Sequence, residues 1–350
     1  MSDHVSFFEF TLPELEAWCE GLGFPRYRAR QIYLNVYQRR LTRFEDMTDL
    51  PRPLRGELAG RLIVEPLAET GPPAVSRDGS RKFLLELSDG MRIESVLMAA
   101  GYGETICFST QVGCAFRCSF CITGKMGRLR NLTAGEIVAQ VVRLERARGD
   151  RGRGVNLVAM GMGEPMDNLD AVLRAVDILG EKLGPCVSPR RITVSTVGLV
   201  PGILRLAETK PEVALALSLN ATTNEVRTEL MPVTRKYPIE SLIPALETYG
   251  RASCHRVTLE YVLIRGLNDT PADADRLGDI AERFPSKVNV IPFNPSELFP
   301  YRRPPEAEVD AFARRLWSRR TTVTVRYSKG LDILAACGQL GYRQVVGAGA

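Results

Sequence analysis

The 350-residue sequence has little histidine: His4 and His255 are the only two, and both lie far from a run of cysteines at residues 114–121. A structural zinc site usually takes four ligands, most often cysteine pairs completed by a second distant pair or by histidines. The scarcity of histidine therefore disfavours a four-ligand zinc site at these cysteines.

The sequence also lacks any apolar run close to the roughly 18 residues that a membrane-spanning helix needs. Its first ten residues, MSDHVSFFEF, have neither the basic start nor the long apolar stretch of a signal peptide. We therefore expect a cytoplasmic protein without a membrane partner. In that reducing compartment, the eight cysteines favour metal binding or catalysis over structural disulfides.

Basic residues are unevenly distributed, although the net charge is only +5. Arginine binds phosphate oxygens bidentately, so such stretches predict a nucleic-acid surface, but most charge runs are simply solvated helix faces. Tyrosines within the first stretch suit either RNA or a core, and both interpretations stay open. The three stretches are Arg26, Arg28, Arg30, Arg39, Arg40 and Arg43; Lys125, Arg128, Arg130, Arg143, Arg146, Arg148, Arg151 and Arg153; and Arg302, Arg303, Arg314, Arg315, Arg319 and Arg320. The tyrosines are Tyr27, Tyr33 and Tyr37.

The hydrophobic pattern predicts an α/β fold, because strand-like runs alternate with helical patterns from residue 105 onward. The predicted strands are 105–110, 155–160, 191–195, 213–219, 256–264, 287–292 and 321–327. These are too few for a closed eight-stranded barrel, so we predict an open, partial parallel β/α barrel.

Four regions follow from this pattern. Residues 1–60 are predicted to form a small helical accessory domain, and residues 61–100 a β-hairpin extension that carries Glu94. Residues 101–330 form the partial barrel, and residues 331–350 a C-terminal segment that carries Cys337.

Cys114, Cys118 and Cys121 form a CxxxCxxC motif. Three thiolates on one loop can hold three irons of a 4Fe–4S cluster, whereas an all-cysteine site uses four. The fourth iron then has an open position. Such an iron can bind the amino and carboxylate groups of S-adenosylmethionine (SAM) and deliver an electron that breaks a C–S bond.

Polar residues follow several predicted strands. Sites in parallel α/β sheets form at the carboxyl ends of the strands, so these residues are expected to surround one ligand. Glu164, within Gly161–Pro165, is suited to accept hydrogen bonds from an ammonium group. The other members of this predicted polar ring are Gly163, Ser195, Ser218 to Asn220, and Asn294.

Two further cysteines stand out, Cys107 on the first predicted strand and Cys337 near the C-terminus. Small neighbours and an adjacent glycine leave the thiol of Cys337 accessible, so catalytic and inert roles both stay open. For Cys19, Cys186 and Cys254 we expect buried, inert thiols.

The motifs together resemble those of the RlmN/Cfr family of radical SAM RNA methyltransferases, over essentially the whole chain. Residues 131–136 are more similar to the RlmN branch, which methylates carbon 2 of an adenine, than to the Cfr branch, which methylates carbon 8. The motifs that carry the resemblance are Cys107, residues 109–114, the CxxxCxxC motif, residues 124–130, residues 131–137, residues 161–165 and residues 336–340.

This resemblance implies a ping-pong reaction that uses one 4Fe–4S cluster and two SAM molecules per turnover. Cys337 would take a methyl group from the first SAM. A radical from the second would then activate this methyl for addition to the adenine ring. Cys107 would resolve the protein–RNA adduct, leaving a transient Cys107–Cys337 disulfide, and Glu94 matches the family's proton acceptor.

The resemblance also implies substrates and partners. The substrates would be 23S rRNA at the peptidyl-transferase centre and tRNA at the adenine 3′ of the anticodon. The electron donor would be a flavodoxin or ferredoxin, and the protein a monomer. Its SAM-binding positions correspond to Gly163, Glu164, Ser195, Ser218, Leu219, Asn220 and Asn294.

One departure from the family is Asn220, where relatives usually have histidine after Ser-Leu. Asparagine still forms hydrogen bonds but does not titrate near neutral pH. If the family histidine carries charge, cofactor affinity here would differ.

Three other functions are weighed against this one. The nearest is the carbon-8 reaction. A non-catalytic, metal-containing RNA-binding protein would need neither Gly161–Pro165 nor the Cys107 and Cys337 pair. Radical activation of a partner protein would leave the basic stretches and Cys337 unexplained.

Overall fold

The computed structural model describes residues 4–100, 103–148, 154–319 and 321–347. Arg151, Arg153 and Arg320 of the basic stretches lie outside these ranges, as do residues 348–350. The helices α1 to α12 span Leu12–Gly21, Tyr27–Tyr33, Arg52–Arg61, Ile122–Lys125, Ala134–Ala147, Leu169–Gly180, Val200–Thr209, Asn224–Leu230, Ile239–Ala252, Pro271–Glu282, Glu306–Ser318 and Tyr342–Gly347. The strands β1 to β15 span Val5–Ser6, Leu62–Ile63, Ala68–Glu69, Ala74–Val75, Arg81–Glu86, Arg92–Ala100, Gly103–Cys107, Gln111–Cys114, Gly127–Asn131, Val155–Ala159, Ile192–Thr196, Ala214–Ser218, Val257–Leu263, Ser286–Pro292 and Val323–Val325.

The main sheet is open and largely parallel, as the alternating pattern predicts. Strands β7 and β10 to β15 run parallel in chain order, and helices cross over between successive strands. The strand order is linear, with β15 at one end and β3 at the other, so the sheet does not close. The predicted partial barrel is therefore confirmed.

The hairpin of β5 and β6 lies within the predicted extension, residues 61–100. It also continues the main sheet, because β6 pairs antiparallel with β7 and places Val96 opposite Cys107. The extension is thus joined to the strand that ends at Cys107.

The N-terminal residues form short helices around an aromatic core. Tyr33 and Tyr37 are buried and pack on Phe7, with ring centroids 5.6 and 5.7 Å from it. They are therefore core residues, and only Tyr27 of the three tyrosines is exposed.

An antiparallel ribbon that the sequence pattern does not predict flanks the cysteine motif. Strands β8 and β9 pair across it, with an irregularity between Val112 and Gly113. Gly113 has a φ of +76°, and a Cβ there would lie 1.8 Å from the carbonyl oxygen of Gly127. Only glycine fits this close approach, which fixes the base of the cysteine loop.

No helix within the described ranges is long and apolar enough to cross a membrane.

We predict that Gly113→Ala costs more than about 3 kcal/mol of unfolding free energy, because left-handed strain and overpacking combine. Gly127→Ala is the matched control, since its φ is +67° but no atom lies within 4 Å of the added Cβ. The control should cost roughly 1–2 kcal/mol. Denaturant unfolding measures both, and equal costs would contradict the close approach.

Candidate active site

A cavity lies at the carboxyl ends of the parallel strands. It brings together most of the residues that the sequence analysis selected. These are Cys114, Cys118, Cys121, Gly163, Glu164, Ser195, Ser218, Asn220, Asn294 and Cys337. Leu219, Glu94 and Cys107 are not among the lining residues of this cavity.

The three motif cysteines face the cavity from a loop that is fixed by backbone hydrogen bonds. The Ser119 N–H donates to the Leu230 carbonyl (2.8 Å), and the Cys121 N–H donates to the Cys118 carbonyl (3.1 Å). Burial raises the pKa of Cys114 to about 12 and also raises the pKa of Cys118 and Cys121. A neighbouring cationic metal would favour the thiolate form of these cysteines.

The three cysteines that line this cavity are a donor set that suits a cluster. A structural zinc ion usually takes four protein ligands, whereas a 4Fe–4S cluster binds each thiolate through a different iron. Three thiolates would therefore hold three irons of such a cluster and leave the fourth iron open.

Glu164 is a buried carboxylate at the start of the turn after β10. The Val197 N–H donates to its Oε2 (2.9 Å) and the Met166 N–H to its Oε1 (3.1 Å). Burial raises its pKa to about 7. Gly163, with φ +106°, is required here because a Cβ would lie 2.7 Å from the Gln111 side chain.

Asn220 has a structural explanation for its side chain. Its φ of 57° is left-handed, a conformation that asparagine tolerates well. Its Oδ1 accepts from the Val262 N–H (2.9 Å), which fixes the amide next to β13. Leu219 packs in the hydrophobic core, so a contact of its side chain with a cofactor stays a prediction.

Asn294 connects the cavity to the C-terminal segment. Its Nδ2 donates to the Cys337 carbonyl (3.1 Å) and to Ser328 Oγ (2.9 Å). Its Oδ1 is buried and has no hydrogen-bond partner among the described residues. An unpaired buried acceptor is costly, so this atom fits a ligand that donates a hydrogen bond.

Cys337 is held beside the cysteine loop by two hydrogen bonds. The Ile122 N–H donates to the Gly338 carbonyl (2.8 Å), and Thr123 Oγ1 donates to the Leu340 carbonyl (2.9 Å). Cys337 is open to the cavity, yet the surrounding protein desolvates the thiol and raises its pKa.

Cys107 and Cys337 also line a second, smaller cavity, whose lining includes Arg326 and Met98. Both are free thiols in the structure. Burial raises the pKa of Cys107 to about 12, and nearby Cys337 adds to the shift. The structure thus brings the two cysteines to one place, although they are far apart in sequence.

Glu94 binds the C-terminal segment. Its side chain is buried, pairs with Lys82 at 3.3 Å and accepts from the Gly341 N–H at 2.9 Å. Lys82 in turn donates to the Leu334 carbonyl (3.1 Å). The hairpin extension therefore positions both sides of the segment that contains Cys337.

Three functional candidates were missed by the sequence analysis, and Glu260 and Arg326 are two of them. Glu260 on β13 lines the main cavity. Asn289 Nδ2 donates a hydrogen bond to its Oε1 (3.0 Å), whereas its Oε2 is buried without a hydrogen-bond partner among the described residues. Arg326 lines both cavities. Its pKa is raised by three nearby groups, first Cys337 and then Glu260 and Cys107, although burial alone would lower it. The rule of strand carboxyl ends would have found Arg326, because it follows directly after β15.

Arg227 is the third, a fully buried guanidinium behind the cavity wall. It donates to the carbonyls of Leu219 (3.1 Å) and Val197 (2.6 Å) and to Thr234 Oγ1 (2.8 Å). Burial lowers its pKa to about 10. It ties together the ends of β11 and β12 and the turn after α8.

The remaining cysteines differ from one another. Cys19 is buried, as expected. The expectation of burial is wrong for Cys186 and Cys254, which are exposed because both lie in connections between helices and strands of the main sheet.

Comparison with known proteins gives a consistent result. Residues 108–277 match the family described as the radical SAM superfamily, and residues 5–64 match the ribosomal RNA large subunit methyltransferase N-terminal domain. The chain is 46% identical to the dual-specificity RNA methyltransferase RlmN of Syntrophobacter fumaroxidans, over 95% of this chain and 96% of that protein. It is 47% identical to the RlmN of Geobacter sulfurreducens, over 94% and 90%.

A solved structure supports the same relationship. The radical SAM methyltransferase from Sphaerobacter thermophilus superimposes with a TM-score of 0.92 at 46% identity, over 96% of this chain and 99% of that chain.

We predict that Arg227→Lys lowers the unfolding free energy by about 2–4 kcal/mol, because a lysine cannot satisfy the same three acceptors from a buried position. Arg235→Lys, on the exposed surface nearby, is the control and should change stability by less than about 0.5 kcal/mol. Denaturant unfolding tests both. Equal stability of the Arg227 variant and the parent would refute the role of Arg227 in holding together the ends of β11 and β12 and the turn after α8.

Proposed function

Because the chain belongs to the RlmN family of radical SAM RNA methyltransferases, we propose that it places a methyl group on carbon 2 of an adenine in RNA. The proposed substrates are 23S rRNA, at the peptidyl-transferase centre, and tRNA, at the adenine 3′ of the anticodon. The printed names of the relatives support RNA methylation. The choice of carbon 2 over carbon 8 is supported by the similarity of residues 131–136 to the RlmN branch.

One observation carries the proposal. The three motif cysteines and Cys337 line the same cavity, and the Ile122–Gly338 hydrogen bond joins their loops directly after Cys121. A protein that only bound RNA through a metal site would not need a fourth, accessible thiol there. We propose that Cys114, Cys118 and Cys121 bind one 4Fe–4S cluster in the same cavity.

The cavity also suits SAM. Glu164 contributes a buried carboxylate to the cavity that the motif cysteines line. The Oδ1 of Asn294, which has no hydrogen-bond partner among the described residues, can accept a hydrogen bond from a ligand. We propose that Gly163, Glu164, Ser195, Ser218, Leu219, Asn220 and Asn294 form the cofactor-binding set. When bound, the cluster and two SAM molecules per turnover would supply the methyl group and the one-electron chemistry.

The protein residues then have distinct roles. Cys337 carries the methyl group, because it alone among the free cysteines lines both cavities. Cys107, in the smaller cavity, would resolve the adduct: its thiolate attacks the Cys337 sulfur, and the bond from that sulfur to the methylene carbon breaks. The electron pair goes to the carbon side, which takes up a proton to become the methyl group on the base. The remaining disulfide must be opened by an external reductant. We assign Glu94 as the proton acceptor. Its hydrogen bond from the Gly341 N–H, in the segment that carries Cys337, is consistent with this role.

Adenine chemistry explains why a radical enzyme is needed. Carbon 2 of adenine is not nucleophilic, so polar methyl transfer fails there, and the cofactors supply the difficult step. The protein contributes position and exclusion of water. The target base must enter the cavity, so we expect unpaired RNA or a base flipped from its stack.

The wider assignment follows from the same family relationship. Residues 1–60 serve as the accessory RNA-binding domain, 61–100 as the extension, 101–330 as the catalytic barrel and 331–350 as the segment of the methyl carrier. The electron donor is a flavodoxin or ferredoxin, and the protein acts as a monomer.

The direct experiment is anaerobic incubation of the reconstituted protein with SAM, a reductant and unmodified rRNA or tRNA, followed by mass spectrometry of the digested nucleosides. 2-Methyladenosine supports the proposal. 8-Methyladenosine would transfer the protein to the carbon-8 branch, and RNA binding without product, in protein with an intact cluster, would contradict methylation.

We predict that Cys118→Ala abolishes cluster assembly and methylation, because two thiolates on this loop cannot replace three. Cys186→Ala is the matched control: this exposed cysteine is not among the residues lining the cavity, and the variant should keep full iron content. Iron and sulfide analysis with the visible absorption spectrum distinguishes the two. Loss of the cluster in both variants would refute the ligand assignment.

We also predict that Cys107→Ala becomes covalently trapped on RNA during turnover, since no thiol remains to resolve the adduct. Denaturing gel electrophoresis with labelled RNA measures the trapped species. Cys337→Ala should give neither trapped RNA nor product. Normal turnover of the Cys107 variant would eliminate the resolving role.

A further inference from the structure

The structure separates the basic residues into two groups. In the first basic stretch, the arginines are engaged within the protein: Arg26 and Arg30 pair with Glu16, Arg39 with Asp49 and Arg43 with Glu45. Arg28 donates to Gln31, and Arg40 donates to the Glu145 carbonyl. This stretch is therefore largely committed to internal contacts.

Most arginines of the other two stretches are paired in the same way. Arg128 and Arg130 bind Asp167 and Asp89. The remaining pairs are Arg143–Glu69, Arg146–Glu65, Arg148–Glu104, Arg315–Asp275 and Arg319–Asp279. A cation that already has a carboxylate partner offers less to a phosphate, because the existing contact must first be broken.

Cations without an ion pair among the described residues occur at several places, Arg314 among them, but six of them are concentrated on three segments that we call the rim segments, residues 115–126, 229–237 and 294–303. Within the described residues none of the six forms an ion pair, and all except the half-buried Arg303 are exposed. They are Arg117, Lys125, Arg235, Lys236, Arg302 and Arg303. The same segments contain only two acidic residues, Glu229 and Glu297.

The rim segments are adjacent to one another and to the active-site cavity. Each contributes residues to the cavity wall: Cys118 and Phe120, Met231, and Asn294. They pack on one another through an apolar cluster that includes Ile122, Leu230 and Phe299. Ser119 and Tyr301 also share a hydrogen bond of 2.7 Å across two of them.

Aromatic rings hold three of these cations without neutralising them. Lys125 lies 5.0 Å from the ring centre of Phe299, and Lys236 lies 5.3 Å from that of Tyr237. Arg303 lies 5.6 Å from Tyr327, an exposed ring that directly follows the cavity residue Arg326. Such rings keep a positive charge in place, and the exposed Tyr327 also offers a face on which an unpaired base can stack.

We propose that the six rim cations form the surface that binds the phosphate backbone of the substrate RNA on either side of the base that enters the cavity. This inference rests on the proposed function, because it assumes an RNA substrate. It assigns the main electrostatic contact to the barrel rim and not to the first basic stretch. The phosphates that flank a base inserted into the cavity must lie close to the cavity wall, to which all three segments contribute.

The test uses the full-length protein and the salt dependence of RNA binding. Each phosphate contact contributes about 0.7–0.9 to the slope of log K against log salt concentration. The test variant is Arg235→Gln, Lys236→Gln and Arg302→Gln combined, which leaves Arg117 and Lys125 intact beside the motif cysteines. The probe is a fluorescent tRNA transcript with an unmodified adenine 3′ of the anticodon.

The chain offers a matched control. Lys182, Arg190 and Arg191 are also exposed and form no ion pair among the described residues. They lie before β11, at the opposite, amino edge of the sheet. Changing these three to Gln removes the same charge without touching the rim. Circular dichroism and iron content establish that both variants are folded.

We expect the rim variant to bind the transcript at least about tenfold more weakly at low salt, with a slope shallower by about two. The control should differ little from the parent. Equal behaviour of the two variants, or a larger loss in the control, would overturn the proposal. Binding that depends on the rim without any methylated product would contradict the proposed function while leaving the rim surface established.

Discussion

The active site depends on the hydrogen bonds that join the C-terminal segment to the cysteine loop. The Ile122 N–H and Thr123 Oγ1 donate to the carbonyls of Gly338 and Leu340, across a sequence separation of 217 residues for the second pair. These contacts bring Cys337 to the cavity that the motif cysteines line. On the other side, Glu94 and Lys82 bind the backbone of the same segment from the hairpin extension. The extension and the barrel thus act together to position one thiol.

The cavity carries polar groups that protein folding alone does not satisfy. Asn294 Oδ1 and Glu260 Oε2 are buried without hydrogen-bond partners in the part of the chain that the structure describes, and burial raises the pKa of the motif thiols. Each unsatisfied group typically costs about 1–3 kcal/mol. The surrounding fold therefore has to hold the site open, and Arg227 and the Gly113–Gly127 contact are two of the features that do so. Ligands that donate hydrogen bonds or positive charge would relieve this cost.

Local patterns predicted the strands of the barrel, since the alternation of strand-like and helical runs is a property of neighbouring residues. The sequence also placed Glu164 and Asn294 correctly at one edge, because parallel strands present their carboxyl ends together. The ribbon of β8 and β9 was missed, since it depends on glycine contacts and not on a hydrophobic pattern. Long-range pairing was equally hidden. Nothing in the sequence shows that Arg146 binds Glu65 or that Glu94 binds the Gly341 backbone. The basic stretches therefore looked equivalent until the structure separated paired from unpaired cations.

The central claim is that Cys337 carries the methyl group. The most direct test is peptide mapping by mass spectrometry, after the reconstituted protein has been incubated with SAM labelled in its methyl group, in the absence of RNA. If Cys337 is the methyl carrier, we expect one labelled methyl on the peptide that contains Cys337, and none on peptides that contain Cys107, Cys186 or Cys254. A label on another residue, or no label in protein that holds its cluster and binds SAM, would contradict it.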